Sequence, residues 1–207
     1  MRFGIEGGLG SYRPQVDGES GVQTPYADIF QDSAPLMGQL RLHLVAPTAL
    51  GQLGFTLGAG YFTDTASALT TSGERSAGQT RLRLVPVSLL ARWRRADFDD
   101  WLGLPIAVHA AAGVSYTLWT ITQGEGRIAS VGDIRGNGGT LSAQVEGGLG
   151  LRLNLLDRRA GKILERDFGI SDTEIGIGVM YVSPPIGWWS SLEVGALTWR
   201  SYVMVQF

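Results

Sequence analysis

Hydrophobic and polar residues alternate with period 2 along most of this chain, and that period puts the two sets on opposite faces of a strand. The last segment is the sharpest case. Leu197, Trp199, Ser201, Val203, Val205 and Phe207 occupy one parity; Ala196, Thr198, Arg200, Tyr202, Met204 and Gln206 occupy the other. Arg2 to Ser11 sets Phe3, Ile5, Gly7 and Leu9 against Arg2, Glu6, Gly8 and Gly10. A second strand sets Leu36, Leu40, Leu42 and Leu44 against Met37, Gln39, Arg41 and His43, then turns through Ala46-Pro47-Thr48. A third sets Leu53, Phe55, Leu57, Ala59 and Tyr61 against Gly54, Thr56, Gly58 and Gly60. In the fourth the pattern is less clean, because Leu82, Leu84 and Leu90 oppose Val85, Val87, Leu89, Ala91 and Trp93; the continuous odd set is taken as outward. The fifth alternates Ile106, Val108, Ala110, Ala112, Val114, Tyr116 and Leu118 with Ala107, His109, Ala111, Gly113, Ser115 and Thr117. The sixth sets Leu141, Ala143, Val145, Gly147, Leu149, Leu151 and Leu153 against Ser142, Gln144, Glu146, Gly148, Gly150 and Arg152. The seventh sets Ile175, Ile177, Val179 and Tyr181 against Glu174, Gly176, Gly178 and Met180.

Eight such strands predict an all-β, antiparallel up-and-down barrel, a single domain over residues 1–207. Long, polar, Gly-rich connections (Arg13 to Pro35, Thr63 to Gly78, Gln123 to Gly139) alternate with shorter ones, among them a charged turn from Arg94 to Asp100. One segment breaks the strand pattern. Leu155 to Phe168 mixes Asp157, Arg158, Arg159, Lys162, Glu165 and Arg166 with Leu156, Ala160, Ile163 and Leu164, which predicts a short amphipathic helix.

Composition decides which face meets what. Charged residues are only 17% of 207, and of the 17 basic residues Lys162 alone is lysine. A soluble surface is rich in both lysine and glutamate. Here the non-aliphatic faces carry Gly, Ser, Thr and Gln with isolated Arg and Glu, the chemistry of a lumen rather than of a solvated exterior. That argues against the main rival, a soluble lipocalin-like barrel with its apolar set inside. A transmembrane helix over Leu102 to Gly124, which holds no charge, is countered by the strict period 2 of His109, Gly113, Ser115 and Thr117. The net charge of −2 offers no basic footprint for nucleic acid. The absence of cysteine removes disulfides, thiolate catalysis and Cys-based zinc.

A final strand that ends flush on an aromatic, with Tyr202, Val203, Val205 and Phe207 in place, resembles the closing strand of small bacterial outer-membrane β-barrels of the OmpA-transmembrane or OmpX type. In that family the terminal aromatic belongs to the signal read by the assembly machinery. The resemblance implies a Gram-negative outer membrane, lipid and the barrel-assembly machinery as partners, and a mature form freed of its signal peptide. It also implies long loops outside and short turns in the periplasm. Tyr61, Tyr116 and Tyr181 then fall at the outer girdle, and Trp93, Phe207 and Phe3 at the periplasmic one. Tyr12 breaks parity and is not counted.

The inward charges are the candidate site. Counting from strand ends puts Glu6, Arg41, Glu146 and Arg200 in the lower middle of the lumen, with His43, Arg92, His109, Arg152 and Glu174 nearer the periplasm. Buried charges persist when paired, so the cluster reads either as a salt-bridge network filling a narrow barrel or as a titrating gate built on a histidine. Above it, Gly8, Gly10, Gly58, Gly60, Ser115, Thr117, Ser142 and Gly178 imply a shallow vestibule or space for a folded-in loop. Neither histidine has a serine beside it on its own face, so no catalytic residues are assigned. No cofactor or metal is expected: the first-loop acids Asp17, Glu19, Asp28 and Asp32 lack calcium-loop spacing, and the Gly136–Gly139 run lacks the features of a phosphate loop. The expected role is a non-enzymatic scaffold or interaction protein of the cell envelope, touching an envelope partner through outer loops or the helix. A narrow porin-like passage is the alternative, followed by a lipid-modifying enzyme.

Overall fold

The computed structural model describes residues 1–14, 30, 35–69, 75–124, 126–131, 134–186 and 194–207. The first-loop acids Asp17, Glu19, Asp28 and Asp32 lie outside them.

Eight long strands form the wall: β1 (Arg2–Ser11), β2 (Leu36–Thr48), β3 (Gly51–Leu69), β4 (Arg75–Arg95), β5 (Ile106–Gln123), β6 (Asn137–Arg152), β7 (Asp172–Pro185) and β8 (Ala196–Gln206). Each pairs antiparallel with its chain neighbours. β1 and β8 close the ring through pairs from Gly4↔Gln206 to Gly10↔Arg200. A closed barrel leaves no unpaired edge, which is what a β-structure in hydrocarbon requires. Among the described residues no helix is long and apolar enough to cross a membrane, and Leu102 to Gly124 is mostly strand β5.

The faces follow the alternation. Leu197, Ile177, Phe55, Leu57, Leu89, Val114 and Leu149 stand exposed on the outside, while Glu6, Arg92, His109, Glu174 and Arg200 are buried inside. This is the inverse of a soluble barrel, and it suits a wall whose solvent is lipid. From Ile106 to Tyr116 the outward face of β5 runs ~33 Å along a strand tilted by ~40°, a band about 25 Å tall.

The connections differ from the sequence expectation in three places. The first tight turn is Ala49-Leu50, not Ala46 to Thr48. Thr48 pairs with Gly51, whose φ of 113° a glycine tolerates, and the Thr48 hydroxyl donates to the Gly51 carbonyl at 2.8 Å. Most of Thr63 to Gly78 is strand: β3 runs to Leu69 and β4 starts at Arg75, so this strand pair continues well past Tyr61. Beyond the apolar band both faces meet polar surroundings, and alternation fades without ending the strand. Within Gln123 to Gly139 the described residues include small ribbons, Arg127–Ile128 against Thr122 and Gln123, and Ser130–Val131 against Ile134–Arg135.

At the opposite end, α1 (Phe98–Leu102) stops on Gly103, and α2 (Leu153–Leu156) leads into α3 (Arg158–Phe168). Asp157 caps α3 by accepting from the Arg159 and Ala160 amides at 3.0 and 2.9 Å. No residue of α3 is buried. Phe3 stacks on Phe207 with ring centroids 6.3 Å apart, and the Phe207 amide donates to the Phe3 carbonyl at 2.8 Å.

Candidate functional site in the barrel lumen

The lower lumen is an ion-pair network in two connected parts. Glu6 on β1 is the hub of the central part. Its carboxylate pairs with Arg200, lies 3.5 Å from Arg92 Nη1 and 3.8 Å from Arg41 Nε, and is 3.2 Å from His43 Nε2. Arg41 donates to both oxygens of Glu146 at 2.6 and 2.5 Å, and Arg200 lies 3.5 Å from the same carboxylate. Glu6 and Arg41 are cross-strand partners, whereas β4 and β6 reach the hub from across the lumen.

The second part sits toward the periplasm. Arg94 donates to Glu174 at 2.6 Å and to Asp172 at 2.7 Å, and Arg152 continues from Asp172 (3.1 Å) to Asp99 (3.1 Å) and the Ala96 carbonyl (2.7 Å). Tyr202 joins the two parts: its hydroxyl donates to Glu174 at 2.5 Å and lies 3.3 Å from His109 Nδ1. On its other side, His109 Nε2 lies 3.5 Å from Arg200.

The structure therefore brings Glu6, Arg41, Glu146, Arg200 and His109 together and links Arg152 and Glu174 below. His43, Arg92 and His109 do not form a separate periplasmic layer; strand tilt and stagger carry them to the hub. Arg94, read from sequence as the start of a turn, is a lumen residue 2% exposed. Asp172 and Tyr202 were also missed as members, Tyr202 because it was assigned to the terminal motif. Parity was the available signal, since Arg94 shares it with Arg92, and Tyr202 with Arg200. At the periplasmic rim Arg95 hydrogen-bonds Asp97 and holds that carboxyl below the usual carboxylate range.

Three other inward glycines, lower in the lumen, make room for side chains. Gly148, Gly150 and Gly176 are notches into which neighbouring side chains lean. A Cβ on Gly148 would lie 2.5 Å from the His109 ring, one on Gly150 would strike Glu174, and one on Gly176 would strike the Tyr202 ring. The outer mouth is filled as well. Tyr12, Phe30, Met37, Phe62, Leu82, Leu84, Trp119, Met180, Val182, Val194 and Ala196 form one buried apolar plug. Tyr12 donates to the Val194 carbonyl at 2.6 Å and meets Phe62 edge-on at 5.2 Å. Phe30, from the first long connection, is buried in the plug. Between plug and charges remains a cavity of ≈ 20 Å³ beside Gly58, Gly60, Ser88, Ser115, Thr117 and Gln144, room for about one water.

One contact has the outline of a hydrolytic triad: Thr56 Oγ1 lies 2.8 Å from His43 Nδ1, whose other nitrogen faces Glu6. Thr56 is wholly buried, however, and Glu6 is already shared among arginines, so no substrate reaches the hydroxyl. Among the described residues no three His, Asp or Glu side chains converge as metal ligands.

No protein-family model matches the chain, and no curated protein matches its sequence. Solved structures do share its shape. The outer membrane protein OprG from Pseudomonas aeruginosa aligns over 100% of this chain and 95% of its own, with a TM-score of 0.54 and 14% identity. A major outer membrane protein from Thermus thermophilus covers 100% and 99% at 0.46 and 15%, and Ail of Yersinia pestis, with a heparin analogue bound, 100% and 98% at 0.47 and 10%. At 14% identity the likeness to OprG is one of fold: the chain has the architecture of a small bacterial outer-membrane β-barrel.

Proposed function

We propose that this chain is an integral outer-membrane barrel that works as a non-enzymatic scaffold or interaction protein, one domain whose contacts are made outside its lumen. One observation carries the reading. The interior is occupied from the periplasmic rim to the outer mouth, by paired charges below and the apolar plug above. An eight-stranded interior is just wide enough for its own side chains, and here the cavity between plug and charges has room for about one water. A partner is then left with the outer connections and the periplasmic helix α3, where Ile163 and Phe168 are exposed beside Lys162 and Arg166. Outer-membrane lipid is the solvent of the wall, and Tyr202, Val203, Val205 and Phe207 serve the assembly machinery during insertion.

The test is single-channel recording of the refolded protein in planar bilayers, after gel mobility of boiled against unboiled samples has established the folded barrel. A silent bilayer is the expected result. Steady unitary openings would overturn the closed-lumen reading and make the narrow passage the function.

A further inference from the structure

Above the outer tyrosines the described barrel wall changes character along β3, β4 and β5. β3, β4 and β5 continue upward, and their registers stack outward residues into rows. Tyr61 lies at the level of Val85 and Leu118, the last apolar row. The next row is Thr63, Arg83 and Thr120, and the one above it Thr65, Arg81 and Thr122. Two residues of strand separate rows, so Arg83 stands ~7 Å along the strand beyond the tyrosine level and Arg81 about twice as far.

Both arginines are exposed. Arg81 donates to Thr65 at 3.3 Å, and neither arginine has a carboxylate partner among the described residues. On the neighbouring strand Asp64 stands opposite buried Leu82 and so belongs to the inward parity. Underneath, Phe62, Leu82, Leu84 and Trp119, one or two from each of these strands, pack together in the plug. Two guanidiniums flanked by four hydroxyls, just outside an apolar band, match a phosphate: forked N–H groups take its oxygens two at a time, and threonines supply further donors.

We propose that this face of β3, β4 and β5 binds the phosphate groups of outer-leaflet lipid, with Arg81 and Arg83 as the cationic contacts. The inference rests on the outer-membrane reading, because only an embedded barrel puts these rows at headgroup height. A lipid fits better than a soluble anion because the apolar rows directly below, Val85, Val87, Leu89 and Leu118, continue down the same wall where acyl chains lie. The site thereby fixes the depth and rotation of the barrel in its leaflet.

The experiment uses the full chain folded in neutral detergent, with bound lipid read by native mass spectrometry. The probes are diphosphoryl lipid A, its dephosphorylated form and inorganic phosphate. The wild type is expected to retain diphosphoryl lipid A, R81Q/R83Q to lose about tenfold in retention, and R81K/R83K to keep most of it. Inorganic phosphate at equal concentration is expected to leave the lipid in place. Equal retention by R81Q/R83Q, equal retention of the dephosphorylated lipid, or displacement by inorganic phosphate would each overturn the proposal. Heat-dependent gel mobility of the same samples reports on the membrane barrel separately, and both substitutions lie outside the plug and charge network that hold the fold.

Discussion

Tyr202 stands directly opposite Gly176 across the β7–β8 pair, and its ring crosses the glycine to place the hydroxyl 2.5 Å from Glu174. The absent Cβ at Gly176 is what makes the contact possible. Gly176→Ala is expected to destabilise the barrel by about 1–3 kcal/mol through overpacking. Tyr202→Phe is expected to cost about 1.5–3 kcal/mol, the range for a hydrogen bond to a charged group. Because the two changes strike one contact, the double variant should cost less than their sum. Urea unfolding in detergent, followed by tryptophan fluorescence, checks all three.

Glu6 answers several cations at once. Glu6→Gln leaves Arg41, Arg92 and Arg200 crowded without their shared counter-charge, and is expected to cost about 3–5 kcal/mol in the same assay. The exposed Arg95–Asp97 pair provides the contrast. Arg95→Gln should leave the unfolding midpoint where it is, since a solvated ion pair contributes little. Equal midpoints for the two variants would refute a structural role for the hub.

The two occlusions of the lumen lie in series, so relief of one leaves the other. Phe62→Ala is expected to remain silent in planar bilayers, because the charge network below still blocks passage. Adding Arg41→Ala and Glu146→Ala together, which removes a complete ion pair rather than half of one, should allow measurable openings. Current through Phe62→Ala alone would show that the network is permeable.

Phe207 has two separable roles. Its stacking on Phe3 is worth about 0.5–1.5 kcal/mol, so Phe207→Ala should refold from urea into detergent with only that loss. In cells the same variant is expected to reach the membrane at several-fold lower levels, if the terminal strand is read during assembly. Parallel measurement of refolding yield and membrane abundance distinguishes the roles; equal losses in both would leave no signal to invoke.

Asp157→Ala removes the cap of α3 and is expected to weaken that helix by about 1 kcal/mol. Amide exchange across residues 158–168 should quicken while barrel unfolding is unchanged, because no residue of α3 is buried.

The strand assignments were legible because burial in a barrel wall repeats every two residues, and each lipid-facing run of Leu, Val and Ile records it. Even the irregular fourth strand carried information. Leu82 and Leu84, which spoiled its alternation, are inward members of the outer plug. Tyr12 broke parity for a related reason: it lies just past the end of β1 and turns into the mouth.

Local periodicity was enough to specify the two-faced character of each strand, the number of strands, and most of the inward charges, though not Arg94 and Asp172 at the strand ends. Which of those charges meet is a property of the closed barrel. Closure of β1 on β8 and the stagger of the strands set Arg92 against Glu6 across 86 residues of chain and Arg200 against Glu6 across 194. Strand spacing along the sequence holds no record of that stagger. The same holds for the filled mouth, where Phe30 and Val194 come from connections with no period at all. Gly148, Gly150 and Gly176 carry the same lesson: along the sequence each is a position without a side chain, and in three dimensions they are the places into which His109, Glu174 and Tyr202 fit.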